Sequence, residues 1–87
     1  MAARKKPAVL PTEADVPKDL DAERAVLGSI LVDGRAAYLK AAAILTPDDF
    51  LDPRHRSIFA AMARLAGSGA TIDPVTVSAA LEDESRD

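Results

Sequence analysis

The sequence predicts an all-α protein, a small orthogonal bundle of about four main helices with one further short helical turn. Apolar residues fall into helical spacing from residue 19 onward, and alanine is abundant there. At three places Asp or Thr stands directly before proline, a pair typical of helix N-termini. No segment has a convincing strand pattern, and no internal repeat is visible.

Length and composition limit the classes of protein to consider. The 87 residues are enough for one small domain, and the absence of cysteine excludes disulfides, a thiolate nucleophile and a thiolate zinc site. No apolar run approaches the roughly 20 residues of a membrane helix. The basic start is not followed by the apolar segment of a secretory signal. We therefore expect a cytoplasmic protein that does not associate with membranes.

The charge distribution argues against nucleic acid as the main partner. The net charge is −3, and three of the 11 basic residues lie within the first six positions. The rest of the chain is therefore more acidic than the net charge suggests, and an acidic surface repels phosphate. We expect little direct DNA binding by this domain.

The chain divides into a leader and a helical domain. Residues 1–18 contain three prolines and no periodic apolar pattern, which predicts a flexible leader before a domain at 19–87. The first helix should begin after an N-cap at Asp19 and run to about Val32, with a turn at Asp33-Gly34. Its predicted apolar stripes comprise Leu20, Leu27 and Leu31, with Val26 and Ile30 beside them.

A glycine inside this first helix needs a reason, because glycine costs about 1 kcal/mol there relative to alanine. Gly28 lies in the middle of the predicted helix. We expect a neighbouring backbone to approach closely at this position.

The second helix should run from about Arg35 to Leu45. Its predicted buried side consists of Leu39, Ala42, Ala43 and Ile44. The Thr46-Pro47 pair then predicts a single helical turn that ends at Phe50.

Two longer helices should follow, each opened by an Asp-Pro pair. Pro53 should open the third helix, which Gly67-Ser68-Gly69 ends, and Pro74 the fourth. Between them Ile72 is expected to plug the core. The predicted inward residues are His55, Ile58, Phe59, Met62 and Leu65 in the third helix and Val77, Ala80 and Leu81 in the fourth.

The chemical motifs of common enzymes are missing. No glycine precedes a lysine as a phosphate-binding loop requires, so no catalytic or cofactor-binding residue is predicted. Asp48, Asp49 and Asp52 form an acidic cluster, which fits either a hard cation or, as we favour, the capping of two helix N-termini. His55 fits either a catalytic base or, as we favour, a partly buried histidine bonded to backbone or a neighbouring acid.

Four blocks of sequence resemble the N-terminal domain of DnaB-family replicative helicases. The first block is residues 16–31, VPKDLDAERAVLGSIL. The others are DDF at 48–50, the histidine at 55 with Ile58-Phe59, and IDPVTV at 72–77. The blocks come in the family order and at similar spacing, and the resemblance runs from about Val16 to Leu81, which is nearly all of the predicted domain.

The resemblance implies a non-catalytic role in a larger assembly. In these helicases the domain is a helical head that joins the N-terminal collar of the ring and contributes to docking of primase and, in some systems, a loader. The ATP and magnesium of such a helicase would belong to a motor domain that this sequence lacks, so we expect no cofactor, no metal and no enzymatic activity in this chain.

Two other hypotheses remain open. The chain is alternatively a stand-alone regulator, such as a phage-type mimic of the helicase head. It is alternatively a small enzyme that uses His55 with Asp48, Asp49 and Asp52.

Candidate interface residues are apolar side chains outside the core stripes. Tyr38 is one, because tyrosine is amphipathic and favoured at interfaces, although packing within the second helix explains it equally well. Leu51, directly after the Phe50 turn, is the other. Both are expected to contribute to self-association, as a dimer or ring collar, or to binding of primase or loader.

Overall fold

The computed structural model describes residues 19–85, and this range contains four α-helices and one short 3-10 turn. The helices are α1 Leu20–Asp33, α2 Arg35–Ala42, α3 Pro53–Gly67 and α4 Pro74–Ser85, with the 3-10 turn at Pro47–Asp49. Residues 19–85 contain no strand. The all-α fold class is confirmed, whereas the predicted leader at 1–18 lies outside the described residues.

The first helix begins and ends as the sequence predicts. The Asp19 carboxylate accepts the Ala22 amide at 2.7 Å and caps the N-terminus. Gly34 ends the helix with φ +82, and its amide donates to the Ile30 carbonyl at 2.7 Å. Its carbonyl then accepts the Tyr38 amide at 3.0 Å, so one left-handed glycine closes α1 and opens α2.

The second helix is shorter than predicted, and its buried face is different. It ends at Ala42 rather than Leu45, and its buried residues are Ala37, Tyr38 and Ala41. The prediction of the buried side is wrong for Leu39, which is 54% exposed, and for Ala43, which is exposed. The other two predicted residues, Ala42 and Ile44, are half-buried and pack against the core. The chain leaves the helix early, and Leu45 beyond it is buried in the core.

The turn between α2 and α3 is fixed by reciprocal capping. The Thr46 amide donates to the Asp49 carboxylate at 2.8 Å, and the Thr46 side chain completes a capping box. Phe50 then adopts an extended conformation, and its ring is buried. The short turn therefore delivers Phe50 to the core at the place the sequence indicates.

An aromatic group forms the centre of the core. The Phe59 ring lies 5.0 Å from the Phe50 ring and 5.4 Å from the Tyr38 ring, measured between centroids. Because Phe59 belongs to α3, it joins the second helix, the 3-10 turn and the third helix into one packed unit. The remaining buried apolar residues are Val26, Leu27, Ile30, Ala37, Ala41, Leu45, Ala61, Met62, Ile72 and Val77.

The fourth helix packs against the third. Asp73 precedes it, accepting the Thr76 amide at 2.9 Å while its own amide donates to the Thr76 hydroxyl at 3.0 Å. Ile72 is buried next to this cap, as predicted. Val77 is the buried residue of α4, and Ala80 and Leu81 are partly buried against the core.

The expectation for Gly28 is wrong. A Cβ atom built at this position meets no heavy atom within 4 Å, so no backbone of residues 19–85 approaches it closely. Within this range, packing therefore gives no reason for a glycine there.

Candidate functional site

A charged residue lies in the middle of the apolar face of α1. Glu23 is fully buried, with 0% of its surface exposed, one helical turn before Val26 and Leu27. Asp19 starts the helix four residues earlier, which places Glu23 on the inward side of the first turn. A carboxylate at such a position requires hydrogen-bond partners inside the protein.

Three donors meet the Glu23 carboxylate. The Leu51 amide donates to Oε2, and the Asp52 amide donates to Oε1 at 3.3 Å. The His55 Nδ1 lies 2.7 Å from Oε1. An ionised carboxylate only accepts hydrogen bonds, so Nδ1 carries the proton in this contact. The site thus connects α1, the residues after Phe50 and the first turn of α3.

These contacts keep Glu23 ionised. Burial acts to raise the pKa of Glu23, because it disfavours the charged form. The hydrogen bonds from Leu51, His55 and Asp52, together with the charge of His55, outweigh burial and hold the pKa below its ordinary value of 4.5. The favoured interpretation of His55, a partly buried histidine bonded to a neighbouring acid, is confirmed.

Asp52, the residue directly before α3, caps the N-terminus of that helix. The Asp52 carboxylate accepts the Arg54 amide at 2.8 Å and the Arg54 guanidinium at 2.8 Å. The Arg54 side chain and amide lower the pKa of Asp52 to about 2. Asp52 is therefore the N-cap of α3, as predicted from its position before Pro53.

Leu51 is an exposed apolar residue whose backbone is fixed on both sides. Its amide is bonded to buried Glu23, and its carbonyl accepts the Arg56 guanidinium at 3.3 Å. Arg56 also donates to the neighbouring Phe50 carbonyl at 2.7 Å. The Leu51 residue is 56% exposed, so the turn displays an apolar side chain next to the polar site.

Tyr38 does not share this surface. It is 8% exposed, and its ring packs on Phe59, so the expectation that its side chain lies outside the core is wrong, whereas its role at an interface stays a prediction. The alternative of ordinary packing within α2 describes it correctly. Leu51 is the candidate of the two that lies on the surface.

The acidic cluster is dispersed. Asp49 bonds Thr46, Asp52 caps α3, and Asp48 is exposed. Within residues 19–85, no group of three or more His, Cys, Asp or Glu residues is arranged to hold a metal ion. The acid that contacts His55 is Glu23, not the predicted aspartates.

The basic side chains of α3 are engaged locally. Arg54 pairs with Asp52, Arg56 bonds backbone carbonyls, and Arg64 contacts Glu84 at 3.6 Å and the Ala80 carbonyl at 3.4 Å.

Comparison with known families gives a match over most of the chain. The family described as DnaB-like helicase N terminal domain matches residues 15–87. The chain belongs to this family.

Three relatives of this DnaB-like domain are replicative DNA helicases. Identity is 46% to DnaB of Geobacillus stearothermophilus and 42% to DnaC of Bacillus subtilis, each over 75% of this chain. It is 40% to DnaB of Rhodothermus marinus over 71% of this chain. The match spans 14% of the first two relatives' length and 6% of the third. No solved structure matches significantly.

Glu23 is the residue of this DnaB-like domain that sequence reasoning missed. An acidic residue near a helix N-terminus is ordinarily explained by its favourable interaction with the helix dipole. The available signal was its position three and four residues before Val26 and Leu27, on the apolar face. Leu20, predicted on that face, is instead 45% exposed.

One further property concerns membranes. Over residues 19–85, no helix is both long and apolar enough to cross a bilayer.

Proposed function

We propose that this DnaB-like domain is a non-catalytic assembly and docking module of a bacterial replicative helicase acting in the cytoplasm. The observation that supports this proposal is membership of the helicase N-terminal family over residues 15–87. The relatives are replicative DNA helicases, and the chain corresponds to a small part of their length. The domain contributes to the N-terminal collar of the ring and to binding of primase or a loader.

The described side chains fit this role better than catalysis. The one histidine is buried against Glu23, and its Nδ1 is occupied by that contact. A general base must reach a substrate proton, which a buried and bonded imidazole does poorly. ATP and magnesium belong to a motor domain elsewhere in the proposed helicase.

Leu51 is the proposed interface residue. Its fixed backbone and 56% exposure give an apolar anchor that loses little conformational entropy on binding. Leu39 on α2 is 54% exposed and serves as a matched control for apolar surface of similar exposure.

Light scattering after size exclusion tests the proposal. The full chain is measured alone and with the C-terminal domain of a primase. A mass above that of the monomer, or co-elution with primase, is the expected result, with loss in Leu51→Asp and retention in Leu39→Asp. A monomer that ignores primase contradicts the proposal for this chain, and equal behaviour of the two variants contradicts the role of Leu51.

A DNA-binding measurement tests the predicted partner class. The acidic chain should bind duplex DNA weakly at about 0.15 M salt, because few phosphates can be neutralised. Tight binding in a fluorescence anisotropy titration at that salt concentration would contradict the argument from the acidic charge of the chain.

A further inference from the structure

The residues that follow Phe50 are connected to α1 through hydrogen bonds to Glu23. We use the name entry segment for residues 51–56, which comprise Leu51, Asp52 and the first turn of α3. Two backbone amides and one side chain of the entry segment bond the Glu23 carboxylate. These bonds reach across 28 to 32 positions of sequence, so they tie the segment to α1.

The other polar contacts of the entry segment are local. Asp52 and Arg54 bond each other, and Arg56 bonds the Phe50 and Leu51 carbonyls. None of these contacts connects the segment to α1, α2 or α4.

The side chains of the entry segment add little burial of their own. Four of its six residues are exposed, and the two buried ones, Asp52 and His55, are polar. The apolar anchors Phe50 and Phe59 lie on either side of the segment, and each is 1% exposed. The segment therefore lies between two hydrophobic anchors, and hydrogen bonds to Glu23 hold its middle part in place.

We propose that Glu23 is a latch for a local conformational change. When its carboxylate loses its charge, the entry segment opens and carries Leu51 away from its fixed position. Phe50, Phe59, α1, α2, α4 and the rest of α3 stay packed, because the buried apolar cluster that includes Ile30, Met62 and Val77 contains no residue of the segment. The latch concerns the conformation of this chain and stands independently of any assembly role.

The chemistry of the site determines which protonation event opens the latch. The charged groups facing Glu23 are His55 and, next to it, Asp52 with its partner Arg54. Arg56 bonds the carbonyls beside them, and α1 itself contributes the surface pair Asp21 and Arg24.

The Leu51 and Asp52 amides and the His55 Nδ1 all donate to the charged form of the Glu23 carboxylate. When Glu23 is protonated, one of its carboxylate oxygens becomes an O–H group. This group is itself a donor and can no longer accept the hydrogen bond of the amide or imidazole that faces it. The segment therefore opens when Glu23 is protonated, which occurs at a pH below 4.5, the ordinary pKa of a glutamate.

Amide hydrogen exchange resolved by residue tests the latch on the full chain. In Glu23→Gln at neutral pH, exchange at Leu51 and Asp52 should accelerate at least tenfold more than at Ile30 and Met62. The matched control Glu82→Gln removes an exposed carboxylate of α4 and should change none of these amides. An equal acceleration at all four amides, or loss of the helical circular dichroism at neutral pH, overturns the proposal, because Glu23 would then support the whole fold.

The unmodified chain provides a second test that needs no variant. Exchange rates are corrected for intrinsic pH dependence and followed with circular dichroism during acidification. Protection at Leu51 and Asp52 should disappear at a higher pH than the helical signal. Coincident loss of both signals, or protection that survives until the helices unfold, overturns the latch.

Discussion

Glu23 shows how a single side chain can organise the junction of two helices. Transfer of an ion out of water costs several kcal/mol unless the protein supplies replacements for its hydration. Here the replacements are two peptide amides and an imidazole, which the chain can supply only when α1, the Phe50 turn and α3 are correctly placed. The buried carboxylate therefore stabilises this arrangement of the elements over others, in which its hydrogen bonds would be missing.

The first prediction concerns the pH dependence of stability. The folded pKa of Glu23 is lowered, so its charge stabilises the fold above pH 4.5 and this stabilisation is lost as the pH falls through the folded pKa. Glu23→Gln should lower the free energy of unfolding by about 2 kcal/mol at neutral pH, because hydrogen bonds to a charged carboxylate are replaced by weaker bonds to a neutral amide. Urea unfolding between about pH 3 and pH 7 measures both effects.

The comparison with the variant isolates the contribution of Glu23. Other carboxylates also titrate in the acid range, Asp52 with its pKa of about 2 among them, so the readout is the difference between the two proteins. The difference in the free energy of unfolding should shrink as the pH falls. A difference that is constant with pH would contradict the assignment of a lowered pKa to Glu23.

Sequence reasoning at this scale succeeded for His55 and failed for its partner. A lone histidine on an apolar helix face predicts a bonded, partly buried ring, which is what the structure contains. Glu23 was missed because its pattern fits both a dipole-stabilised surface acid and a buried ligand. Only the return of the chain at Leu51 and Asp52, which is a tertiary event, distinguishes the two.

At the scale of the elements, two glycines with opposite roles provide a matched pair. Gly28 lies inside α1 with open space where a Cβ atom would be, and Gly34 has φ +82 between α1 and α2. Gly28→Ala should stabilise the chain by about 0.5 to 1 kcal/mol, because alanine loses less conformational entropy in a helix.

Gly34→Ala should destabilise the chain by about 1 to 2 kcal/mol, because an L-residue is strained at this backbone conformation. Thermal unfolding monitored by circular dichroism of both variants measures the two shifts. A lower melting temperature for Gly28→Ala would show that the added methyl group clashes with its surroundings, which would contradict the open space at this position.

The element boundaries that the sequence predicted best are those with capping chemistry. Asp19, Thr46, Asp52 and Asp73 each precede a helix or helical turn, and the structure places each of them at the start of that element. The end of α2 has no such signal: alanines at 41–43 continue the helical pattern although the helix ends at Ala42. Beyond Ala42 the Ile44 and Leu45 amides still donate to the Ala41 carbonyl, at 3.0 and 2.9 Å, and this turn leads the chain to buried Leu45.

At the scale of the whole molecule, stability depends on the aromatic centre. Phe59 contacts both Phe50 and Tyr38, so Phe59→Ala should remove about 3 to 5 kcal/mol. That loss approaches the total stability of a small domain, and the chain should be largely unfolded at 37 °C. Leu39→Ala, at an exposed position, should change stability by less than about 0.5 kcal/mol.

Chemical denaturation with circular dichroism detection measures both variants. A folded and stable Phe59→Ala protein would contradict the arrangement of the core. A large effect of Leu39→Ala would contradict the orientation of α2.

The fold class was predictable because helical periodicity, capping pairs and family blocks agree along the chain. The buried face of α2 and the position of Tyr38 were not, because both depend on how Gly34 turns the helix relative to α3. A short alanine-rich helix presents apolar residues on more than one side, so its sequence alone does not select the inward face.

The proposed docking role is tested most directly by nuclear magnetic resonance on the labelled full chain, titrated with unlabelled chain and separately with the C-terminal domain of a primase. The account predicts that amide signals at Leu51 and its neighbours shift or broaden in at least one titration, and that Leu51→Asp abolishes the effect. Spectra that remain unchanged in both titrations, or changes that avoid this surface, would contradict it.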